Sequence, residues 1–141
     1  MLKTKLVHPE ILFALGKAGH GAKILLADGD YPVSTTKGAN STIVHLNVCA
    51  DLVGCMQLLE VLLQTILIEA AEVMDVPEGQ SEPEIWTAYR NCLRDNGYED
   101  KLNKIERFDF YKEVSKPNTA LIIQTGETRE YANLLLTVGS L

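Results

Sequence analysis

The chain has 141 residues, of which 46% are hydrophobic and 23% are charged. This composition is typical of a globular domain long enough to bury a core. Thirteen basic and nineteen acidic residues give a net charge of −6, which argues against nucleic acid and anionic membrane surfaces as partners.

The sequence has no pattern typical of a signal peptide, a membrane span or a cysteine metal site. The first eight residues have no apolar signal-peptide core, and no apolar run approaches the roughly 20 residues of a membrane span. The three cysteines, Cys49, Cys55 and Cys92, have no C-x-x-C spacing, so they form neither a disulfide framework nor a zinc site. We therefore expect a cytoplasmic protein with its cysteines in the core and with no metal.

The first half of the chain predicts two helices and two strands. Pro9 begins a helix over 9–18, and Gly19 ends it. Short strands are predicted over 23–27 and 41–48. Asp51 is the predicted cap of a second helix of about 14 residues. That helix is apolar almost all round, so we expect another copy of the chain to cover part of it.

The second half continues the alternation of strands and helices. Strands are predicted over 66–74, 104–107, 120–125 and 133–138, and helices over 81–97 and 108–114. We therefore expect a single α/β domain over 1–141, with a mixed or largely parallel sheet flanked by helices.

The segment Gly19 to Pro32, GHGAKILLADGDYP, carries the first candidate site residues. His20 lies between two glycines in a connection, where functional residues concentrate. Asp28 ends a buried strand, where ligands of α/β proteins bind. The alternative for Asp28 and for Asp30 is that they only cap the turn before Pro32.

Two further patterns bear on the site. Gly16, Gly19 and Gly21 form a G-x-x-G-x-G pattern that runs from the end of a helix toward a strand. A dinucleotide site requires the reverse order, so the pattern gives little support to nucleotide binding. Near the C-terminus, Tyr131 and Asn133 are two residues apart and share a face if the strand has already begun there. A phenol and an amide on one face suit a polyol, although the pair is also typical of a polar strand entrance.

Three blocks in this order resemble the fucose mutarotase and ribose pyranase family, RbsD/FucU. They are GHGAKILLADGDYP (19–32), ERFDFYK (106–112) and TGETREYANLLLTVG (125–139). The resemblance covers nearly the whole chain. It implies an enzyme that interconverts the ring forms of a free monosaccharide without cofactor or metal. It also implies an RbsD-like α/β fold and a homo-oligomer, commonly a decameric ring.

The resemblance also assigns roles to residues. His20 matches the family's general acid, Asp28 matches a substrate-binding carboxylate, and Tyr131, Ala132 and Asn133 match the sugar-binding segment. Arg107 matches the fucose-type members, since ribose-type members carry His there, and this favours L-fucose as substrate.

One departure and two alternative functions remain. Fucose-type members often read D-A-H-F-P where this chain reads Asp28-Gly29-Asp30-Tyr31-Pro32, which makes Asp30 a further candidate site residue. The first alternative function is a pyranase for ribose or a mutarotase for another sugar. The second is a non-catalytic sugar-binding subunit.

Overall fold

The computed structural model describes residues 1–141. Every predicted helix and strand is present, with ends that differ by a few residues. In chain order the elements are α1 (Pro9–Lys17), β1 (Lys23–Ala27), β2 (Thr42–His45), α2 (Cys55–Leu62), β3 (Ile68–Met74), α3 (Glu84–Asp95), β4 (Leu102–Ile105), α4 (Arg107–Val114), β5 (Thr119–Gln124) and β6 (Leu134–Val138).

The six strands form one mixed sheet in the order β2-β5-β1-β6-β3-β4. The pairs β1/β5, β2/β5 and β3/β4 are parallel, whereas β6 is antiparallel to both β1 and β3. The other five strands therefore point the same way, and their last residues meet at what we call the carboxyl end of the sheet. The predicted α/β class with a mixed, largely parallel sheet is confirmed.

The alternation of side chains along β1 divides the core between the two faces of the sheet. Ile24 and Leu26 belong to a cluster of 25 buried residues that also takes in residues of α1, α2 and α3. Leu25 and Ala27 belong to a second cluster of nine, which packs against α4. All four of these side chains are fully buried, so β1 is held from both faces.

Helix α2 begins later than predicted. Asp51 has a φ of 63°, and its backbone N–H donates to the Gly126 carbonyl at 2.6 Å. It therefore lies in a tight turn, and the helix starts at Cys55. At that start the Gln57 side-chain oxygen accepts from the Gly54 N–H at 2.9 Å.

Most of the apolar side chains of α2 are buried by the chain itself, and Met56 and Val61 are half-buried. Leu58, Leu59 and Leu62 are buried in the large cluster, while Gln57 and Glu60 are exposed. The apolar character of this helix is therefore no argument for a neighbouring subunit, and any assembly must be argued from other features. None of the four helices has the length and apolar character needed to span a membrane.

The cysteine prediction is correct for one residue only. Cys55 is fully buried, whereas Cys49 is exposed and Cys92 is half-buried. Cys49 lies directly after the predicted strand 41–48, in the turn that precedes α2. All three cysteines are free thiols.

Candidate active site

A cavity of about 230 Å³ opens at the carboxyl end of the sheet. It lies between the end of β1, the first turn of α4 and the segment 127–133 that leads into β6. This is the position at which open α/β sheets bind ligands. Its lining includes five of the predicted site residues, namely Asp28, Asp30, Arg107, Tyr131 and Asn133. A larger cavity of about 430 Å³ between α3 and β4 contains none of them.

The register of β1 against β6 brings Asp28 and Asn133 together. Leu26 pairs with Leu134 in this antiparallel ladder, so the residues just after β1 lie beside those just before β6. The Asn133 Nδ2 donates to Asp28 Oδ2 at 2.8 Å, and the Asp28 backbone N–H donates to Asn133 Oδ1 at 2.8 Å. These two hydrogen bonds fix both side chains at the floor of the cavity.

Burial changes the acidity of Asp28. The residue is only 9% exposed, and this burial raises the pKa of its carboxyl group from 3.8 to about 6. Hydrogen bonds to the carboxylate from the backbone of Asp30 and from Asn133 oppose the rise. Asp28 therefore also caps the turn through the Asp30 N–H, as the alternative interpretation proposed, while it faces the cavity.

Two side chains of α3 donate hydrogen bonds to the backbone of the segment from Tyr131 to Asn133. The Trp86 indole N–H donates to the Tyr131 carbonyl at 2.9 Å, and the Tyr89 hydroxyl donates to the Ala132 carbonyl at 2.6 Å. Tyr131 has a φ of 56°, so the chain is still in a turn there. The condition under which Tyr131 and Asn133 would share a strand face is therefore not met, because β6 begins only at Leu134. Both residues nevertheless line the cavity.

Ala132 differs from its two neighbours because it is fully buried. It is not among the residues that line the cavity. Its carbonyl is bound by Tyr89, so its place in the site is to anchor the segment.

Arg107 is brought to the cavity by the junction of β4 and α4. It is the first residue of α4, whose N-cap Glu106 accepts hydrogen bonds from the backbone N–H groups of Phe108 and Asp109. The Arg107 side chain is exposed, and its guanidinium carbon lies 5.8 Å from the centre of the Tyr111 ring. This arrangement leaves the guanidinium donors accessible at the mouth of the cavity.

His20 lies away from the cavity, in the turn that precedes β1 at the amino end of the sheet. Asp28 follows β1 at the carboxyl end, and five strand residues at about 3.3 Å each separate the two ends by roughly 16 Å. The expectation that β1 brings Asp28 to the same sugar as His20 is therefore wrong within one chain. His20 is exposed, and its Nε2 lies 2.8 Å from Glu69 Oε2.

Sequence reasoning missed two tyrosines of the cavity. The rings of Tyr31 and Tyr111 are 5.7 Å apart, and both residues line it. The Tyr31 hydroxyl is buried without a hydrogen-bond partner in the protein, and burial raises the pKa of this phenol. Tyr111 lies four residues after Arg107 in α4, so helical spacing was the available signal.

An ion pair on the remaining wall, between the buried Glu127 and the exposed Arg129, was also missed. Glu127 Oε1 accepts from Arg129 Nε at 2.8 Å, and Glu127 Oε2 accepts from Arg129 Nη2 at 2.8 Å. These bonds from Arg129 lower the pKa of the Glu127 carboxyl group. Glu127 Oε2 also accepts from the Cys55 N–H at 3.2 Å, which ties the wall to the start of α2.

Comparison with known proteins gives a consistent set of relatives. The family model described as the RbsD / FucU transport protein family matches residues 1–141. The chain is 36% identical to the fucose mutarotase of Homo sapiens, over 96% of this chain and 90% of that protein. It is 32% identical to the L-fucose mutarotase of Haemophilus influenzae strain 86-028NP, over 93% of this chain and 90% of that protein.

A solved structure agrees with these sequence relatives. It is the crystal structure of the fucose mutarotase from Streptococcus pneumoniae in complex with L-fucose, to which this chain is 29% identical. The two superpose with a TM-score of 0.83, over 99% of each chain. The resemblance drawn from three sequence blocks therefore extends over the complete fold.

Proposed function

The chain belongs to the RbsD / FucU family, and we propose that it is an isomerase, a mutarotase that interconverts the α and β anomers of free L-fucose. The observation that carries this proposal is the set of groups around the cavity at the carboxyl end of the sheet. Carboxylate, amide, phenol and guanidinium groups face one small space. The relatives named above are fucose mutarotases, and one of them was crystallised with L-fucose.

The reaction requires proton transfer and little else. Opening the ring breaks the bond between the anomeric carbon and the ring oxygen, which takes up a proton as the anomeric hydroxyl loses one. Rotation about the next bond exposes the other face of the aldehyde, and closure reverses the two transfers. General acid–base catalysis contributes about 10²–10⁴-fold to such a step.

The cavity residues are suited to hold the sugar. Asp28 and Asn133 are already fixed by their mutual hydrogen bonds, so they offer a rigid floor to hydroxyl groups. Arg107 presents a fork of donors to two adjacent hydroxyls, and it stays charged throughout the neutral range, so it orients the sugar rather than transferring a proton. Tyr131 supplies a phenol to the same cavity.

His20 is proposed as the proton donor, and this role requires a second copy of the chain. His20 and Asp28 lie at opposite ends of β1, so within one chain they cannot contact the same sugar molecule. We infer a homo-oligomer in which His20 of one protomer faces the cavity of another. A decameric ring, as the resemblance implies, is one such closed assembly. Light scattering, read against the chain mass of 15.6 kDa, measures the number of copies.

The experiment that tests the function is exchange NMR on sugars at anomeric equilibrium. We expect the protein to accelerate exchange of L-fucose more than exchange of galactose, ribose or rhamnose. His20→Ala is expected to lose most of this exchange while it still binds the sugar. The matched control is His45→Ala, because His45 is also an exposed histidine and its side chain hydrogen-bonds to Gln124 rather than to a carboxylate.

Two outcomes of this experiment would refute the proposal. Faster exchange of ribose than of L-fucose would make the chain a pyranase. Binding of L-fucose without any acceleration by the wild-type protein would make it a non-catalytic sugar-binding subunit.

A further inference from the structure

The turn that carries His20 and the start of β3 are joined through the end of β6. The Gly21 N–H donates to the Val138 carbonyl at 2.9 Å. Val138 also pairs with Ile68 in the ladder between β3 and β6. His20 and Glu69 are therefore placed side by side by one short stretch of β6, although 49 residues separate them in the chain.

Glu69 lies at an irregularity in that ladder. Ile68 pairs with Val138 and Ala70 pairs with Thr137, so two steps on β3 correspond to one step on β6. Glu69 is thus the extra residue of a bulge, a feature that often re-aims a side chain beside an active site. Here the side chain extends to His20.

Gly139 permits this close packing. A Cβ at position 139 would lie 3.1 Å from the Ile68 carbonyl carbon and 3.3 Å from the Glu69 nitrogen, which is tighter than ordinary contact. The Gly139 N–H also donates to the Leu67 carbonyl at 2.8 Å. The bulge at Glu69 is therefore held in place by the backbone of the residue that follows β6.

The contact fixes which nitrogen of His20 is free. An ionised carboxylate only accepts hydrogen bonds, so the His20 Nε2 at 2.8 Å from Glu69 Oε2 carries the proton of that bond. His20 makes no other side-chain hydrogen bond within the chain. Its Nδ1 is the nitrogen left to meet a ligand.

We propose that Glu69 is a positioning residue for His20, which it holds with Nε2–H toward the carboxylate and Nδ1 toward the sugar. This inference rests on the proposed mutarotase function. On ring opening the Nδ1–H proton passes to the ring oxygen while solvent water takes the proton of the anomeric hydroxyl, and the neutral imidazole keeps its Nε2–H bond to Glu69. On closure water returns a proton to the aldehyde oxygen and Nδ1 takes back the proton of the ring hydroxyl, so protons and charge balance over the cycle.

Stability does not explain the pair. The His20 and Glu69 side chains are 59% and 46% exposed, and exposed ion pairs contribute little to folding. Removal of the Glu69 charge is therefore expected to leave the melting temperature unchanged. A structural role and a positioning role can accordingly be separated by experiment.

The test compares Glu69→Gln with the wild-type protein in two measurements. In ¹⁵N NMR of the neutral His20 ring, the Nε2–H tautomer is expected to predominate in the wild type and to lose its predominance in the variant. In L-fucose exchange, kcat is expected to fall about 10- to 100-fold, a part of what a general acid supplies, with KM unchanged. Glu69→Asp keeps the charge and is expected to lose less rate.

The control variant is a substitution of Glu82, which lies outside the proposed site. Glu82→Gln removes another exposed carboxylate that pairs with Arg90 and Lys104, and we expect it to keep the wild-type rate. A wild-type rate in Glu69→Gln, or an unchanged His20 tautomer, would overturn the role of Glu69. Absence of exchange in the wild type would instead refute the mutarotase function. The tautomer measurement would still show whether Glu69 orients the His20 ring.

Discussion

Asn133 and Asp28 hold each other by two hydrogen bonds of 2.8 Å, one between their side chains and one from the Asp28 backbone to the Asn133 side chain. The pair spans the junction between the end of β1 and the start of β6. Both residues are at least nine-tenths buried. The floor of the cavity is therefore formed before any ligand arrives.

Asn133→Ala is expected to destabilise the protein because it leaves the Asp28 N–H and carboxylate without these partners. Loss of a buried hydrogen-bond partner costs about 1–3 kcal/mol, and urea unfolding measures the free energy. The control Asn40→Ala removes an exposed amide that donates one hydrogen bond, to the Pro117 carbonyl. Equal effects of the two changes would contradict the structural importance of the pair.

We expect Asp28 to make the protein less stable as pH rises from about 4 to 6. Its pKa is raised from 3.8 to about 6 in the folded state, so in this range the folded state holds the proton more tightly than the unfolded state. The contribution of Asp28 to stability is therefore fully present below its pKa in the unfolded state, and it is lost as pH rises through its pKa in the folded state.

Asp28→Asn removes this titration. We expect the stability of the variant relative to the wild type to increase by about 2 kcal/mol between pH 4 and pH 7, at 1.36 kcal/mol for each pKa unit, because part of the shift is already lost at pH 4. Urea unfolding of both proteins at the two pH values gives the difference. A difference that stays constant with pH would show that the Asp28 pKa is not raised.

Arg107→His tests the choice of sugar. Loss of the paired donors is expected to lower the rate of L-fucose exchange about 10-fold. The rate should fall less for ribose, and the preference for fucose should narrow, because the rate falls most for the sugar whose hydroxyls Arg107 binds. Exchange NMR on both sugars measures this. Arg94→His serves as the control, since Arg94 bonds only to Asn91 on the surface of α3. Equal loss for both sugars would remove Arg107 as a specificity residue.

Tyr89→Phe tests how α3 supports the segment from Tyr131 to Asn133, which we propose binds the sugar. The change removes the 2.6 Å hydrogen bond to the buried Ala132 carbonyl, and we expect a loss of about 1–3 kcal/mol and a higher KM for L-fucose. Tyr98→Phe is the matched control, since Tyr98 lies away from this segment, beside Asp100 and Lys101. A KM that does not move would mean that the segment keeps its position without Tyr89.

The fold was predictable because its signals are local. Pro9 and Gly19 bracket α1, and the apolar run before Asp28 marks β1, so each boundary follows from a few neighbouring residues. The start of α2 was not predictable in this way. Asp51 has the chemistry of a cap, but its N–H is bound by Gly126 from a distant loop, and such a contact leaves no local pattern.

The site was predictable in part. Asp28, Asn133, Tyr131 and Arg107 all reach one cavity, because strand ends in an α/β sheet converge. The place of His20 was not predictable from its glycine neighbours, which show only that the chain turns there. Glu69 left no signal at all, since its contact with His20 depends on the register of β3 against β6.

Subunit complementation tests most directly whether one sugar site is built from two chains. His20→Ala and Asp28→Ala chains with different tags are co-expressed, and oligomers that contain both are purified and assayed for L-fucose exchange by NMR. Each variant alone is expected to be nearly inactive. Random mixing should restore about one quarter of the wild-type activity, because half of the chains supply His20 and half supply Asp28. Mixed oligomers no more active than the two variants alone would contradict a site shared between His20 of one chain and Asp28 of another.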